Sequence, residues 1–264
     1  MTQAALNQLV SQLGGDHVIG FFLVLARIIP LFLFAPLFSS KMVPAQVRGI
    51  VAVALAIGLT GVATHGQHIP SQPFEVAGLM IEGLLVGFGF AFAIGMVLAA
   101  VECAGSFADA LAGFSFGSIV DPVNGNQGGV LAELYGLVGV MLFIAIGGDA
   151  WTLRGLTSTF TLVPLTRGPR ISSLVGGAEQ VFGTIFTSAL EVVAPVVLAL
   201  LVTDVAFGMV SRVVPQLNVF AVGFPLKVGV SLLVVSATLP FLGGWMTDNI
   251  ETSVGTALHA LQIA

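Results

Sequence analysis

Apolar residues run along this chain in long blocks, and most charges fall between them. The blocks cover residues 18–38, 49–64, 83–101, 134–148, 180–203, 205–226 and 228–247. A helix that crosses a bilayer core needs about 20 largely apolar residues. Block 83–101, uncharged between Glu82 and Glu102, meets that well, and so does 228–247, uncharged between Lys227 and Asp248. The others are compromised. Block 18–38 carries Arg27, Pro30 and Pro36, and blocks 49–64 and 134–148 are short. Block 180–203 holds Glu191 and Pro195, and 205–226 holds Arg212 and Pro215. The pattern predicts an all-α membrane protein with five to seven short, kinked helices and helical hairpins, in one domain over 1–264.

Composition explains why such a chain avoids water. Charged residues supply 8% of it, against about 25% in soluble domains. Eight basic and 13 acidic residues cannot coat a fold of this size, so lipid or other apolar protein must cover much of it. A net charge of -5 with scattered basic residues argues against nucleic-acid binding. Cys103 is the sole cysteine, which excludes an intrachain disulfide or a cysteine metal cluster. His65 and His68 have no third ligand nearby in sequence. No phosphate loop, zinc-protease motif or nucleophile elbow occurs. The chain therefore reads as a non-enzyme without cofactor or metal.

Loop charges do not give a consistent topology. Lys41 and Arg48 make the first loop cytoplasmic by the positive-inside rule. The next loop, 65–82, has no Lys or Arg, as an outside loop should. The third, 102–133, should then be cytoplasmic but has none either, and the fourth, 149–179, carries Arg154, Arg167 and Arg170 on the wrong side. Plain up-and-down threading fails, which points to surroundings other than bare lipid.

Three stretches carry more information. Gly113, Phe114, Ser115, Phe116 and Gly117, followed by Asp121 and Pro122, lie in the third loop. The glycines and the Asp-Pro pair read as irregular backbone, which at membrane depth is tolerated only inside protein or along a cavity. Phenylalanines there can form a constriction that blocks ions by dewetting, although the residues alone favour simple packing of Phe114 and Phe116. The second stretch places Asp204, Gly208 and Arg212 at intervals of four, along one helical stripe. Eight residues of helix span about 12 Å, too far for an Asp204–Arg212 pair, so their partners belong to other segments or subunits. Pro215, Gln216 and Asn218 follow, then Gly223, Phe224, Pro225, Leu226 and Lys227. Pro215 should break the helix and Pro225 punctuate it again, giving a sharp hairpin. The third is Gly83-x3-Gly87, a spacing that lets helices approach closely; packing is favoured there over any ligand role.

Taken together these stretches resemble the FliR family, flagellar type III export-gate proteins whose injectisome relatives are called SctT. The likeness runs from about Phe21 to Trp245. It rests on Arg27, Pro36, Val43-Pro44, Val47-Arg48, Glu82 with Gly87, the loop from Gly113 to Pro122, and Pro195, Asp204, Gly208 and Arg212. Its most specific part is Pro215-Gln216-Leu217-Asn218-Val219-Phe220 with Gly223-Phe224-Pro225-Leu226-Lys227, and the Gly-Phe-Pro triplet looks flagellar. Gly147-Gly148-Asp149 departs from the Asn-Gly-His of many members.

The resemblance implies a subunit of the inner-membrane flagellar basal body. It would assemble with FliP-like and FliQ-like subunits, engage an FlhB-like subunit, and pass unfolded flagellar substrates. It also implies that the loop with Phe114 and Phe116 plugs the closed pore. Arg27, Arg48, Glu82, Glu191, Asp204, Arg212, Pro215, Gln216, Asn218, Phe224, Pro225 and Lys227 would serve subunit packing and buried charge. The alternative is a polytopic secondary transporter of a small solute, built on broken helices around a site.

Overall fold

The computed structural model describes residues 3–35, 44–70, 72–114, 129–216 and 218–262, with side chains throughout except at 3–16, 219–220 and 262. Among them are seven helices: α1 (Gln3–Phe34), α2 (Ala45–Ala63), α3 (Pro73–Ala112), α4 (Val130–Ala145), α5 (Gly148–Leu162), α6 (Ile171–Val213) and α7 (Val219–Gln262). The all-α expectation holds. Five helices are long and apolar enough to cross a membrane. A sixth candidate is the pair α4 and α5, bent by 69°.

Three helices outrun the apolar blocks. α3, α6 and α7 have 40, 43 and 44 residues, about twice what a bilayer core requires. Glu82 and Glu102 both lie inside α3, so they do not mark its ends. The reason is helix propensity: Glu is a good helix former, and a propagating helix adds a bond per residue whatever the polarity outside. This corrects the loop reading of 102–133 and 149–179. The first begins as α3 and runs into α4, and the second holds nearly all of α5 and the start of α6. Block 205–226 is likewise not a separate helix, because α6 continues through Asp204 to Val213. Pro215 does follow a helix end, but Pro225 sits within α7 and does not stop it. Apolar helices tolerate internal prolines where neighbours satisfy the freed carbonyls. Pro30 and Pro195 behave the same way.

The fold divides into two compact units: Met1–Met96, Gly147–Phe182 and Ile250–Ala264 form one, and Val97–Ile146 with Gly183–Asn249 form the other. In the first, Leu23, Val24, Ile28 and Leu31 of α1 are buried, as are Val86, Phe90 and Ile94 of α3 and Leu156 of α5. α1 also packs on α2. In the second, Leu98, Val101 and Ala104 of α3, Leu131 and Phe143 of α4, Val193, Val196 and Leu200 of α6, and Met246 of α7 are buried. The break between α4 and α5 is set by Gly147, whose φ of 71° lies in the left-handed region that glycine enters without steric cost.

Candidate functional site

The best-defined polar arrangement lies at the end of α3. Gly113, with φ 90°, closes that helix as a left-handed C-cap glycine does. The N–H groups of Gly113 and Phe114 both donate to the carbonyl oxygen of Asp109, at 3.1 Å each. The Asp109 side chain, only 2% exposed, turns the other way. Its Oδ1 accepts from the Leu131 N–H at 2.9 Å and its Oδ2 from the Ala132 N–H at 2.8 Å. Those are the second and third residues of α4, whose own N-cap is Gly129 and provides no side-chain bond. A helix start leaves such N–H groups unsatisfied and favours a negative charge. Asp109 supplies both the acceptors and the charge from another helix.

Two glycines permit this approach. A Cβ on Gly105 would lie 2.6 Å from Ala132 Cα and 2.8 Å from the Leu131 carbonyl oxygen, so α3 and α4 touch there backbone to backbone. A Cβ on Gly129 would overlap the Asp109 carboxylate.

The hairpin of α6 and α7 reaches the same place. Lys227 Nζ pairs with Asp204 Oδ1 at 2.5 Å and donates a long bond of 3.5 Å to the Leu111 carbonyl oxygen, in the last turn of α3, where a cation suits the helix dipole. Phe114 meets the Phe224 ring edge-on at 6.1 Å between centroids. Asp204 and Lys227 stand at similar distances from the turn, which is what a returning hairpin requires. The turn is stabilised by Asn218, whose Oδ1 accepts from the Ala221 N–H at 3.2 Å and caps α7.

Of the residues singled out in the sequence, Gly113, Phe114, Asp204, Phe224 and Lys227 thus come together. Ser115, Phe116, Gly117, Asp121 and Pro122 lie outside the described residues. Glu191 is exposed and accepts from Trp245 Nε1 at 3.2 Å. Arg212, Pro215, Gln216 and Pro225 are exposed. Asp109 was not singled out in advance: a lone acid in an apolar run shows its role only when α4 is placed beside it.

Arg27, Arg48 and Glu82 belong to the other unit. Arg27 is 1% exposed. Its Nη1 donates to the Thr159 and Val163 carbonyl oxygens, at 3.1 and 2.7 Å, and its guanidinium lies 4.9 Å from the centroid of the Phe160 ring. Those carbonyls belong to the C-terminal end of α5, so Arg27 caps a helix that would otherwise end on buried acceptors. A Cβ on Gly87 would overlap the Arg27 carbonyl oxygen, whereas one on Gly83 would meet Leu23 O at an ordinary 3.6 Å. Arg48 is half-buried, and its Nε finds no acceptor among the described residues. Glu82 is half-buried, with its carboxylate against Gly168.

A family model described as bacterial export proteins, family 1, matches residues 18–253. The chain is 28% identical over 225 residues to the flagellar biosynthetic protein FliR of Pectobacterium carotovorum subsp. carotovorum, covering 84% of this chain and 85% of that protein. It is 31% identical over 218 residues to the FliR of Bacillus subtilis, covering 81% and 84%. To the surface presentation of antigens protein SpaR of Shigella flexneri it is 29% identical over 226 residues, covering 83% and 85%. The solute-transporter alternative finds no support in these likenesses.

Proposed function

This chain belongs to the bacterial export proteins of family 1 and is a component of the flagellar type III export apparatus of the inner membrane; on that premise we propose that it helps close the export gate at rest and admits unfolded flagellar substrates when the closure moves. The closing element in this reading is the stretch from Gly113 to Pro122, with Phe114 and Phe116 forming a dewetted constriction. The observation that supports it is the anchoring of residues 109–114. The stretch leaves α3 through a glycine-closed turn, Asp109 binds the start of α4 beyond it, and Phe114 rests on Phe224. A closure needs such a fixed base, because a constriction works only if its aromatic rings are held in place.

The partners in this reading are FliP-like, FliQ-like and FlhB-like subunits. Apolar residues exposed on α6 and α7, among them Leu198, Val202, Val205, Leu232 and Leu233, offer faces for them and for lipid. Only 28% and 17% of the apolar windows of these helices are buried within the chain. Deletion of residues 113–118 tests the reading. Basal bodies should still assemble, and ion leak through the inner membrane should rise. An unchanged leak in assembled gates would sink the assignment.

A further inference from the structure

We propose that Asp109 is a positioning residue for the gate: a clasp that holds together the two ends of the stretch between α3 and α4. The proposal rests on the closure reading above. Helices usually take their N-terminal cap from the residue that begins them. Here that residue is Gly129, with φ -66° and ψ 144°, extended geometry in which Ser or Asp would cap well. The cap comes instead from 22 and 23 residues away, and its carboxylate fills the space a Gly129 side chain would need.

A local cap would satisfy the same Leu131 and Ala132 N–H groups, but would put no bond between α3 and α4 there, leaving only side-chain and backbone packing to hold them. The long-range cap satisfies them only while the helices stay together. One residue therefore serves both ends: its carbonyl oxygen closes α3 and its carboxylate opens α4. Asp109 is fully enclosed, and no cation pairs with it among the described residues. Among the described residues its negative charge is compensated by the α4 dipole and N–H groups, so separating the helices would strand a buried carboxylate.

This arrangement suggests a swap that distinguishes a clasp from a mere helix cap. Asp109→Gly removes the carboxylate, and with it both the cap of α4 and the bridge between the helices, while the backbone carbonyl that closes α3 remains. Asp109→Gly with Gly129→Asp returns a carboxylate to the start of α4, now attached to α4 itself. It restores the cap but not the bridge.

Each variant replaces the wild-type copy in flagellated cells. Assembly is scored in isolated basal bodies, and leak is measured as sodium entry into intact cells. Spin labels on the exposed positions Ala110 and Val130, in a Cys103→Ser background, report the separation of the two helix ends in the purified gate. The swap should assemble as wild type does, yet show a broadened label separation and a leak raised several-fold. A wild-type separation or a wild-type leak in the swap would overturn the clasp.

If the 113–118 deletion leaks and the swap does not, the clasp fails and the closure reading stands. If the deletion does not leak, the closure reading fails, and the role of Asp109 in gating falls with it, whatever the labels report. Should Asp109→Gly and the swap both fail to assemble, Asp109→Asn decides. It keeps the volume and one acceptor but turns an amide donor toward an N–H. It should leak measurably more than wild type, and an equal leak would overturn the proposal.

Discussion

Arg27 and Asp109 are buried ionisable residues of opposite sign, one in each compact unit. Neither has an oppositely charged partner among the described residues. Both are held by helix ends, although Arg27 Nε itself meets no acceptor among the described residues. Arg27 donates to carbonyls at the C-terminal end of α5, and Asp109 accepts from N–H groups at the N-terminal end of α4. Asp109 pins the start of α4 within one unit, and Arg27 pins the end of α5 within the other. In a chain with so few charges, the orphan groups of helix ends are the most abundant complementary sites. The two residues differ in what surrounds them. Asp109 bridges a chain segment with a proposed function, whereas Arg27 closes a helix next to an ordinary turn.

Three measurements bear on this pairing. The largest effect is expected where the seat of Arg27 is disturbed. Gly87→Ala places a Cβ onto the Arg27 carbonyl oxygen, backbone that cannot give way easily. It should cost about 3 kcal/mol, the upper part of the usual range for overpacking, seen as a lower thermal midpoint in detergent. Gly83→Ala, with only ordinary contacts, should change stability by less than about 1 kcal/mol, on the stabilising side through helix propensity. Equal losses at both positions would refute the close approach at Gly87.

Arg27→Met comes next. It strands the Thr159 and Val163 carbonyls, at about 1–3 kcal/mol for each buried orphan. Loss of the cation's own burial penalty offsets part of that. A net destabilisation of about 2 kcal/mol is expected from the same melting experiment, and an unchanged midpoint would remove Arg27 from the comparison.

Asn218→Ala sets the lower end of the scale. Asn218 caps α7 in the same chemical sense as Asp109 caps α4, but it is exposed. Water can replace its bond, so the loss should be about 1 kcal/mol. A loss as large as that of Arg27→Met would mean burial is not what separates the two kinds of cap.

Much of this was legible in advance. The apolar blocks located every helix but α5, Pro215 marked a helix end, and Arg27 stood out because a charge inside an apolar run has to be accounted for. The Pro215–Lys227 stretch carried the family resemblance. What was misread has a common cause. Glu82 and Glu102 read as helix ends and Pro225 as a break only if polarity and proline act as punctuation. A helix in contact with protein on one side continues through both. Asp109 was missed for a different reason. It lies within four residues of Gly113, yet nothing near it in sequence resembles a partner, since its partners are backbone N–H groups of Leu131 and Ala132.

The residue pattern alone settled the apolar environment, the all-α architecture and the family, because these depend on side-chain type and order. Tertiary structure decided how the few buried charges are satisfied. Their partners are the free N–H and carbonyl groups at helix ends, which every residue type but proline carries alike, so no pattern of side chains marks them. Only the placement of one helix against the end of another does.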